Sequence, residues 1–209
     1  MANTDVVIVD YDAGNLRSVQ RACAEVGLSA RISRAPADVL TAPRVIFPGV
    51  GAAGPAMQSI EATGMRAALQ EFLATGRPLL GICLGMQISL ERSEEQCTQT
   101  LGLLPGMVRR FSFSDHTLKV PHMGWNRVRQ VRPHPLLAGL EENDEFYFVH
   151  GYYPQPSRDD DVFAVSDYEF DFPCAVGRAN YFGTQFHPEK SGRVGLRLLA
   201  AFRQWDGTC

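Results

Sequence analysis

The chain has 209 residues, of which 45% are hydrophobic and 21% charged, the proportions of an ordinary soluble globular domain. Its net charge of −3 gives no electrostatic reason to expect a nucleic acid or an anionic membrane as partner. The five cysteines are an odd number without a CxxC pair, which argues against a disulfide framework and a zinc site. No signal peptide or membrane-spanning stretch is predicted, so we expect a cytoplasmic protein. We also expect no metal and no cofactor.

Short apolar runs alternate with helical patterns in the first half of the chain. The runs at 6–9, 45–47 and 78–82 predict buried strands. Helices are predicted from about residue 15 to Gly27, over 65–75 and over 84–92. Strand, helix and strand at this spacing indicate βαβ units. The fold class is therefore predicted as α/β, with a mainly parallel central sheet and helices on both faces.

The second half has a different composition. Residues 108–131 and 146–182 are richer in aromatic, proline and β-branched residues, which predicts added antiparallel strands. A last helix is predicted from about residue 193 to 204. Because no repeat or linker is visible, residues 1–209 are expected to form a single domain.

A Gly-x-Cys-x-Gly pattern lies where the predicted strand 78–82 meets the next helix. Cys83 stands between Gly81 and Gly85. A nucleophile at a sharp strand-to-helix turn needs small residues two positions away on either side, because the chain packs closely there. Free backbone N–H groups at the helix start favour a thiolate and a developing oxyanion. The pattern predicts Cys83 as a nucleophile at the carboxyl edge of the sheet; a buried, inert thiol is the alternative.

The segment 183–189, GTQFHPE, offers a base for that nucleophile. In an extended chain His187 and Glu189 share a face, because side chains two positions apart point the same way. The carboxylate can then hold one imidazole nitrogen while the other faces the cysteine, as in a catalytic triad. Cys83, His187 and Glu189 are therefore predicted to be catalytic, and a purely structural histidine is the alternative.

The segment 48–51, PGVG, follows another strand of the same predicted sheet. In isolation, its glycines favour a simple turn. A flexible peptide plane beside the nucleophile can, however, aim a backbone N–H at an oxyanion. One such donor is worth about 2.7–4 kcal/mol in other enzymes.

Taken together, these motifs resemble the class I glutamine amidotransferases. The resemblance rests on GICLGMQ around Cys83, on PGVG at 48–51 and on FHPE at 186–189. Three further segments narrow it to the glutaminase subunits of imidazole glycerol phosphate synthases, which serve histidine biosynthesis: DYDAGNL at 10–16, PHMGWN at 121–126 and YFVH at 147–150. The similarity runs from Val6 to about Phe202, and PHMGWN is its most discriminating segment.

The resemblance implies a role for each matching position. Cys83 would attack the side-chain amide of L-glutamine and form a γ-glutamyl thioester. His187 would protonate the departing ammonia and then activate water, with Glu189 orienting its ring. The oxyanion hole would be formed by backbone N–H groups of Leu84 and of Val50 or Gly51. The residues expected to contact glutamine are Gly49, Gln87, Gly151 and Tyr152.

One position departs from the family pattern. The family usually has Ser or Thr where this chain has Gly151. If that residue contacts glutamine through its backbone, glycine is tolerated with some loss of rigidity, and this is the outcome we expect. If a hydroxyl is required, the affinity for glutamine falls.

The resemblance also implies a heterodimer. The partner would be a cyclase (synthase) subunit of (β/α)8 fold, which receives the ammonia across the interface and makes imidazole glycerol phosphate and the by-product AICAR. An exposed Trp125 would suit an interface anchor. The segment implied to dock the partner comprises Pro121, His122, Met123, Gly124, Trp125 and Asn126.

The other histidines and an acidic pair receive simpler interpretations. His116 and His134 are expected to be exposed loop residues. Glu94 and Glu95 are expected to form a solvated helix end.

Three alternative functions stay open at this point. A paralogous glutaminase could feed ammonia to another synthase, such as one that amidates a sugar. A catalytically silent docking module could share the fold, although the intact Cys83, His187 and Glu189 argue against it. A cysteine peptidase or γ-glutamyl hydrolase could share the Cys–His pair.

Overall fold

The computed structural model of the chain describes residues 4–115 and 117–208. Six α-helices lie in these ranges: α1 Leu16–Glu25, α2 Pro36–Thr41, α3 Ala53–Thr63, α4 Met65–Ala74, α5 Leu84–Gln87 and α6 Gly192–Gln204. The described strands are β1 Val6–Val9, β2 Ala30–Ser33, β3 Val45–Gly49, β4 Leu79–Cys83, β5 Arg92–Ser93, β6 Thr98–Gln99, β7 Gly106–Arg110, β8 His122–Arg127, β9 Arg129–Gln130, β10 Glu145–His150, β11 Tyr152–Pro156, β12 Val162–Asp167, β13 Asp171–Arg178 and β14 Tyr181–Thr184.

The central sheet has eight strands in the order β2-β1-β3-β4-β14-β13-β12-β9. The pairs from β2 to β14 are parallel, and those from β14 to β9 are antiparallel. The prediction of an α/β fold with a mainly parallel central sheet is confirmed. The antiparallel strands divide between this sheet and two small ones, a pair formed by β8 and β10 and a four-stranded sheet β11-β7-β5-β6.

Apolar side chains cover both faces of the parallel strands. In β1, Val6 and Ile8 belong to one buried cluster, and Val7 and Val9 to the other. The first cluster includes buried residues of α1 and α6, and the second includes those of α3 and α4. Because successive side chains of a strand point to opposite faces, an unbroken apolar run predicts a strand buried on both sides.

The helix predicted over 84–92 is much shorter in the structure, where α5 ends at Gln87. The carbonyls of Ile88, Ser89 and Leu90 accept hydrogen bonds from backbone N–H groups of residues 101–104 instead of from a following helical turn. The chain then enters β5, which pairs with β6 and β7. The hydrogen bonds that end the helix come from residues 101–104, which are distant in sequence. The local hydrophobic pattern around residues 84–92 therefore does not predict where the helix ends.

Five helices and strands had no counterpart in the sequence prediction: β2, α2, α3, β5 and β6. No helix in the described part of the chain combines the length and apolarity needed to cross a bilayer.

Candidate active site

Cys83 lies at a strained turn between β4 and α5. Its φ of 52° and ψ of −112° place a non-glycine residue in a region that L-amino acids rarely occupy. A Cβ at position 85 would lie 1.9 Å from the carbonyl oxygen of Phe47, so only glycine fits there. A Cβ at position 81 would lie 2.8 Å from the hydroxyl of Tyr181. The two glycines therefore let the turn pack against its neighbours and present Cys83 at the sheet edge.

The end of β3 lies directly beside this turn. Gly49 is the register partner of Cys83. A Cβ on Gly49 would lie 2.0 Å from the hydroxyl of Tyr11, so glycine is required there too. Gly51 has a φ of +98° and open space around it. The structure thus brings the PGVG segment next to Cys83, and Gly51 adopts a positive φ that favours glycine.

His187 and Glu189 follow β14, the strand on the other side of β4. His187 Nδ1 lies 2.8 Å from Glu189 Oε1, and both side chains are 1% exposed. The other ring nitrogen, Nε2, is buried and makes no aligned hydrogen bond among the described residues. The carboxylate therefore fixes one side of the ring and leaves Nε2 available for proton transfer.

The electrostatics of the site favour a protonated His187. Burial by itself lowers the pKa of His187, but the Cys83 sulfur and the Glu189 carboxylate raise it to about 10. The ring therefore carries its second proton at neutral pH and can give it to a leaving group. Cys83 and His187 line the same cavity.

Further side chains hold this pair in place. Asn15 Nδ2 donates to Glu189 Oε1 at 2.5 Å, from a left-handed backbone with φ 70°. Ser191 Oγ donates to the carbonyl of His187 at 2.6 Å and accepts from the N–H of Tyr147 at 3.0 Å. Neither Asn15 nor Ser191 was among the predicted site residues, although both lie in the segments that carry the resemblance or adjoin them.

A cavity of about 270 Å³ opens at the sulfur. This is just below the usual range of ligand pockets, so it suits a ligand the size of an amino acid. Predicted residues that line it are Val50, Gly51, Cys83, Leu84, Gln87, Pro121, Gly151, Tyr152 and His187. Glu189 lies behind His187. The structure thus gathers the predicted catalytic and oxyanion residues around one pocket.

Glu95 is a lining residue that the sequence interpretation placed wrongly. It belongs to a 3₁₀ turn, Glu95–Cys97, rather than to a helix end, and it is half-buried. Its Oε2 accepts a hydrogen bond from the N–H of Ala53 at 2.7 Å, and it lines the cavity with Cys83. Glu94, by contrast, is exposed and pairs with Arg109. Glu95 is the one acidic side chain among the residues that line this cavity.

Two buried amides adjoin the sulfur. Gln87 Nε2 donates to the carbonyl of Tyr152 at 2.9 Å and to Gln185 Oε1 at 3.0 Å. Gln185 Nε2 lies 3.7 Å from Cys83 Sγ, within reach of a hydrogen bond to sulfur. Gln185 stands inside the GTQFHPE segment but was not predicted as a site residue. Gln185 could have been predicted from its position two residues before His187, which places both side chains on the same side of an extended chain.

The PHMGWN segment forms β8, and its residues point in two directions. His122 is 4% exposed, whereas Met123 is 63% and Trp125 54% exposed. The Trp125 ring lies 6.1 Å from that of Tyr147, which in turn lies 6.4 Å from the ring of His187. One side of β8 is therefore an exposed apolar surface close to His187.

The prediction for His134 is wrong. It is 4% exposed, its ring stacks on Phe182 at 4.2 Å, and its Nδ1 accepts from the N–H of Leu136 at 3.1 Å. Burial lowers the pKa of His134 to about 4. An apolar stacking partner and a backbone donor explain why this histidine is inside the protein. His116 lies outside the described residues.

Such an arrangement suits transfer of an acyl group through a covalent intermediate. A cysteine at a strained turn beside a cavity, a histidine held by a carboxylate and nearby backbone donors are the components of nucleophilic catalysis at a carbonyl carbon. An amide is a suitable substrate because the protonated His187 can turn its nitrogen into a neutral leaving group.

Comparison with known proteins agrees with this chemistry. Residues 7–203 match the sequence profile of the family described as glutamine amidotransferase class-I. The imidazole glycerol phosphate synthase subunit HisH of Thiobacillus denitrificans is 47% identical over 98% of this chain and 92% of its own. The HisH subunit of Nitratidesulfovibrio vulgaris is 47% identical over 96% of each chain.

Solved structures with lower sequence identity share the fold. PurLQS from Thermotoga maritima matches with a TM-score of 0.73 at 17% identity, over 94% of this chain and 96% of that one. The crystal structure of a glutamine amidotransferase matches with a TM-score of 0.71 at 20% identity, over 95% of this chain and 99% of that one. By the sequence profile and by its relatives, the chain belongs to the class-I glutamine amidotransferases, in the group of the HisH subunits of imidazole glycerol phosphate synthase.

Proposed function

We propose that this chain is the glutaminase subunit of an imidazole glycerol phosphate synthase and hydrolyses L-glutamine to glutamate and ammonia. The observation that carries the proposal is the grouping of Cys83 and His187 at one small cavity, with Glu189 fixed to the far side of the imidazole. The 47% identity to HisH subunits supports histidine biosynthesis as the pathway.

The reaction begins when the Cys83 thiolate attacks the side-chain carbonyl carbon of glutamine. The resulting tetrahedral intermediate collapses as His187 protonates the amide nitrogen, so the C–N bond breaks and ammonia leaves. A γ-glutamyl thioester remains on Cys83. His187, now neutral, takes a proton from water, which attacks the thioester and releases glutamate and the thiol.

Backbone N–H groups stabilise the negative oxygen of both tetrahedral intermediates. The N–H of Leu84, directly after the nucleophile, is one donor, and the N–H of Val50 or Gly51 is the other. Because glycine adopts positive and negative φ with similar ease, the peptide plane beside Gly51 can rotate at low conformational cost. We infer that this rotation completes the oxyanion hole when the partner has bound its own substrate.

The pocket also binds the α-amino-acid moiety of glutamine. Glu95, the acidic residue that lines the cavity, would pair with the α-ammonium group. Gln87 and the backbone of Gly151 and Tyr152 supply the remaining polar contacts. A Cβ on Gly151 would lie 3.3 Å from Val120 Cγ1, so a serine would fit with a small shift and glycine leaves that space open.

The partner in this proposal is a cyclase of (β/α)8 fold that receives the ammonia. The names of the relatives denote one subunit of a synthase. Four of the large exposed apolar side chains, Val50, Val120, Met123 and Trp125, belong to or adjoin the PGVG and PHMGWN segments. An apolar surface of this kind near the pocket is typical of a protein interface.

Glutamine hydrolysis is tested by comparing two cysteine variants. Cys83→Ala should abolish ammonia release from glutamine, whereas Cys97→Ala, at an exposed cysteine, should leave it unchanged. Ammonia release by Cys83→Ala at the wild-type rate would overturn the nucleophile. Cleavage of γ-glutamyl peptides in preference to glutamine would favour a hydrolase instead.

Partner docking is tested by titration calorimetry with the cyclase. Trp125→Ala should weaken the complex by about 2 kcal/mol, the cost of removing an interface anchor. Val131→Ala, an exposed apolar residue outside β8, is the matched control and should bind normally. Equal affinity of Trp125→Ala and wild type would contradict the docking surface.

A further inference from the structure

A chain of hydrogen bonds begins on β8 and leads toward the cavity. Asn126 Nδ2 lies 3.3 Å from His122 Nε2, and His122 Nδ1 lies 3.2 Å from His150 Nε2. His150 Nδ1 then lies 2.7 Å from the carbonyl oxygen of Tyr152. Three elements thus contribute to one polar path: β8, the end of β10 and the start of β11.

The two buried amides beside the nucleophile continue the same path. The carbonyl of Tyr152 also accepts from Gln87, Gln87 donates in addition to Gln185, and Gln185 reaches the Cys83 sulfur. Both N–H groups of the Gln87 amide are occupied in this way. Its oxygen receives no hydrogen bond from a described residue, so it is the atom that Gln87 can offer to a substrate in the cavity.

From Asn126 to the carbonyl of Tyr152, every hydrogen bond is donated toward that carbonyl, and Gln87 donates to the same oxygen from the other side. A carbonyl oxygen only accepts, so the proton between His150 and Tyr152 is on His150 Nδ1. A neutral imidazole has one N–H, so His150 Nε2 is an acceptor and His122 Nδ1 must donate to it. His122 Nε2 is then an acceptor for the amide of Asn126. Both rings are therefore Nδ1–H tautomers, and each link fixes the next.

These two histidines lie in apolar surroundings. His122 is 4.2 Å from the ring of Tyr168 and 5.0 Å from that of Phe148, and His150 is 5.4 Å from that of Phe172. Burial lowers the pKa of His122 to about 4 and that of His150 to about 3, so both are neutral at physiological pH. Apolar aromatic side chains could fill this space and would carry no polar atoms that need hydrogen bonds. The presence of histidines here therefore indicates a role other than packing.

We propose that His122, His150 and Gln185 are positioning residues, which act through this relay to orient the Gln87 amide and the Cys83 sulfur toward glutamine. The inference rests on the proposed glutaminase function and assigns it residues outside the catalytic triad. The relay starts from the strand whose opposite side carries Trp125, so a shift of β8 on docking would reach the substrate pocket through it.

The first test is a nitrogen-15 NMR spectrum of the imidazole groups in the wild-type chain. Both His122 and His150 should carry their proton on Nδ1, which is the minor tautomer of free histidine in water, and should keep it from pH 7 to pH 5. A proton on Nε2 of either ring would reverse a link and overturn the relay. Because no variant is needed, this test does not depend on whether a variant folds.

The second test compares glutamine hydrolysis by histidine variants in the complex with the cyclase. His122→Phe should raise the KM for glutamine about tenfold, the effect of one disordered polar contact, with a smaller change in kcat. His122→Asn keeps an amide donor near the position of Nδ1 and should recover most of the loss. His134→Phe is the matched control, because His134 is also buried, neutral and stacked on an aromatic ring but is outside the relay.

The outcomes separate the relay from the function on which it rests. Wild-type kinetics in His122→Phe, or an equal defect in His134→Phe, would overturn the relay while glutamine hydrolysis by the wild type stands. A wild-type complex that fails to hydrolyse glutamine would instead remove the proposed function.

Discussion

The two ring nitrogens of His187 have different roles. On one side Glu189 holds Nδ1 at 2.8 Å, and on the other Nε2 is left for the reaction. The carboxylate is itself held by Asn15. Glu189 therefore sets the orientation of the ring, and it adds to the effect of the Cys83 sulfur in raising the pKa of His187 to about 10.

Removal of the Glu189 charge tests this dependence. Glu189→Gln should lower kcat at least about a hundredfold, because a wrongly held imidazole is a poor acid and base. The pKa of His187 should also fall, so the alkaline limb of the pH–rate profile should move to lower pH. A profile with an unchanged alkaline limb would show that Glu189 does not set the protonation of His187.

Glu95 provides a second test at the residue scale. Glu95→Gln keeps an acceptor for the N–H of Ala53 but removes the charge offered to the α-ammonium group. The KM for glutamine should rise about 10- to 100-fold with kcat nearly preserved, since hydrogen bonds to charged groups are worth about 1.5–3 kcal/mol. Glu94→Gln is the control, because this exposed neighbour pairs with Arg109 outside the cavity. A similar KM in both variants would remove Glu95 from the substrate site.

At the scale of elements, the parallel strands place the chemistry. The ends of β3, β4 and β14 lie side by side, and the PGVG segment, Cys83 and His187 lie at or just after these ends. The unbroken apolar runs predicted β3 and β4, and the glycines marked the turns after them. β14 begins in the region that was expected to add antiparallel strands, and it pairs parallel with β4 instead. The PGVG and Cys83 motifs therefore lie where the strand pattern predicts, whereas the place of His187 beside them was not predicted from a strand.

Other parts of the site depend on distant contacts and leave no local pattern. The helix predicted over 84–92 ends early because residues 101–104 bond to the carbonyls that would continue it. Glu95 enters the cavity through a 3₁₀ turn that no periodicity marks. Gln185 reaches Cys83 across 102 positions of sequence. Each depends on the tertiary arrangement rather than on neighbouring residues.

The tight turn after β4 can be tested by adding one methyl group. Gly85→Ala would bring a Cβ to 1.9 Å from the carbonyl oxygen of Phe47, a backbone atom that cannot move aside cheaply. The free energy of unfolding in urea should fall by about 1–3 kcal/mol, with loss of glutaminase activity. In Gly139→Ala the nearest neighbour is a flexible arginine at 3.8 Å, so that variant should behave as wild type. Equal stability of the two variants would contradict the close packing of the turn.

Across the whole molecule, three buried neutral histidines should set the response to acid. Burial lowers the pKa of His122 and His134 to about 4 and that of His150 to about 3. Between the unfolded pKa of about 6.5 and these values, the unfolded chain takes up protons that the folded chain does not. Stability is therefore fully present above pH 6.5 and is lost as the pH falls toward 4.

Urea unfolding at two pH values measures this effect. From pH 6.5 to pH 5 each ring should remove on the order of 1–2 kcal/mol from the free energy of unfolding. His134→Phe should show a smaller loss, because one of the three rings is gone. An unfolding free energy that is the same at both pH values would show that these histidines are protonated in the folded protein as readily as in the unfolded chain.

The central claim is that Cys83 forms a covalent bond to the glutamyl group of glutamine, and intact-protein mass spectrometry tests it most directly. After the complex with the cyclase is mixed with glutamine and quenched in acid, the chain should gain the mass of one γ-glutamyl group, located on the peptide that contains Cys83. The variant His187→Asn cannot activate the water that hydrolyses the adduct. Any adduct that forms in this variant should therefore accumulate to a higher level than in the wild type. Glutamine turnover with no adduct at any time, or an adduct on a different residue, would contradict the account.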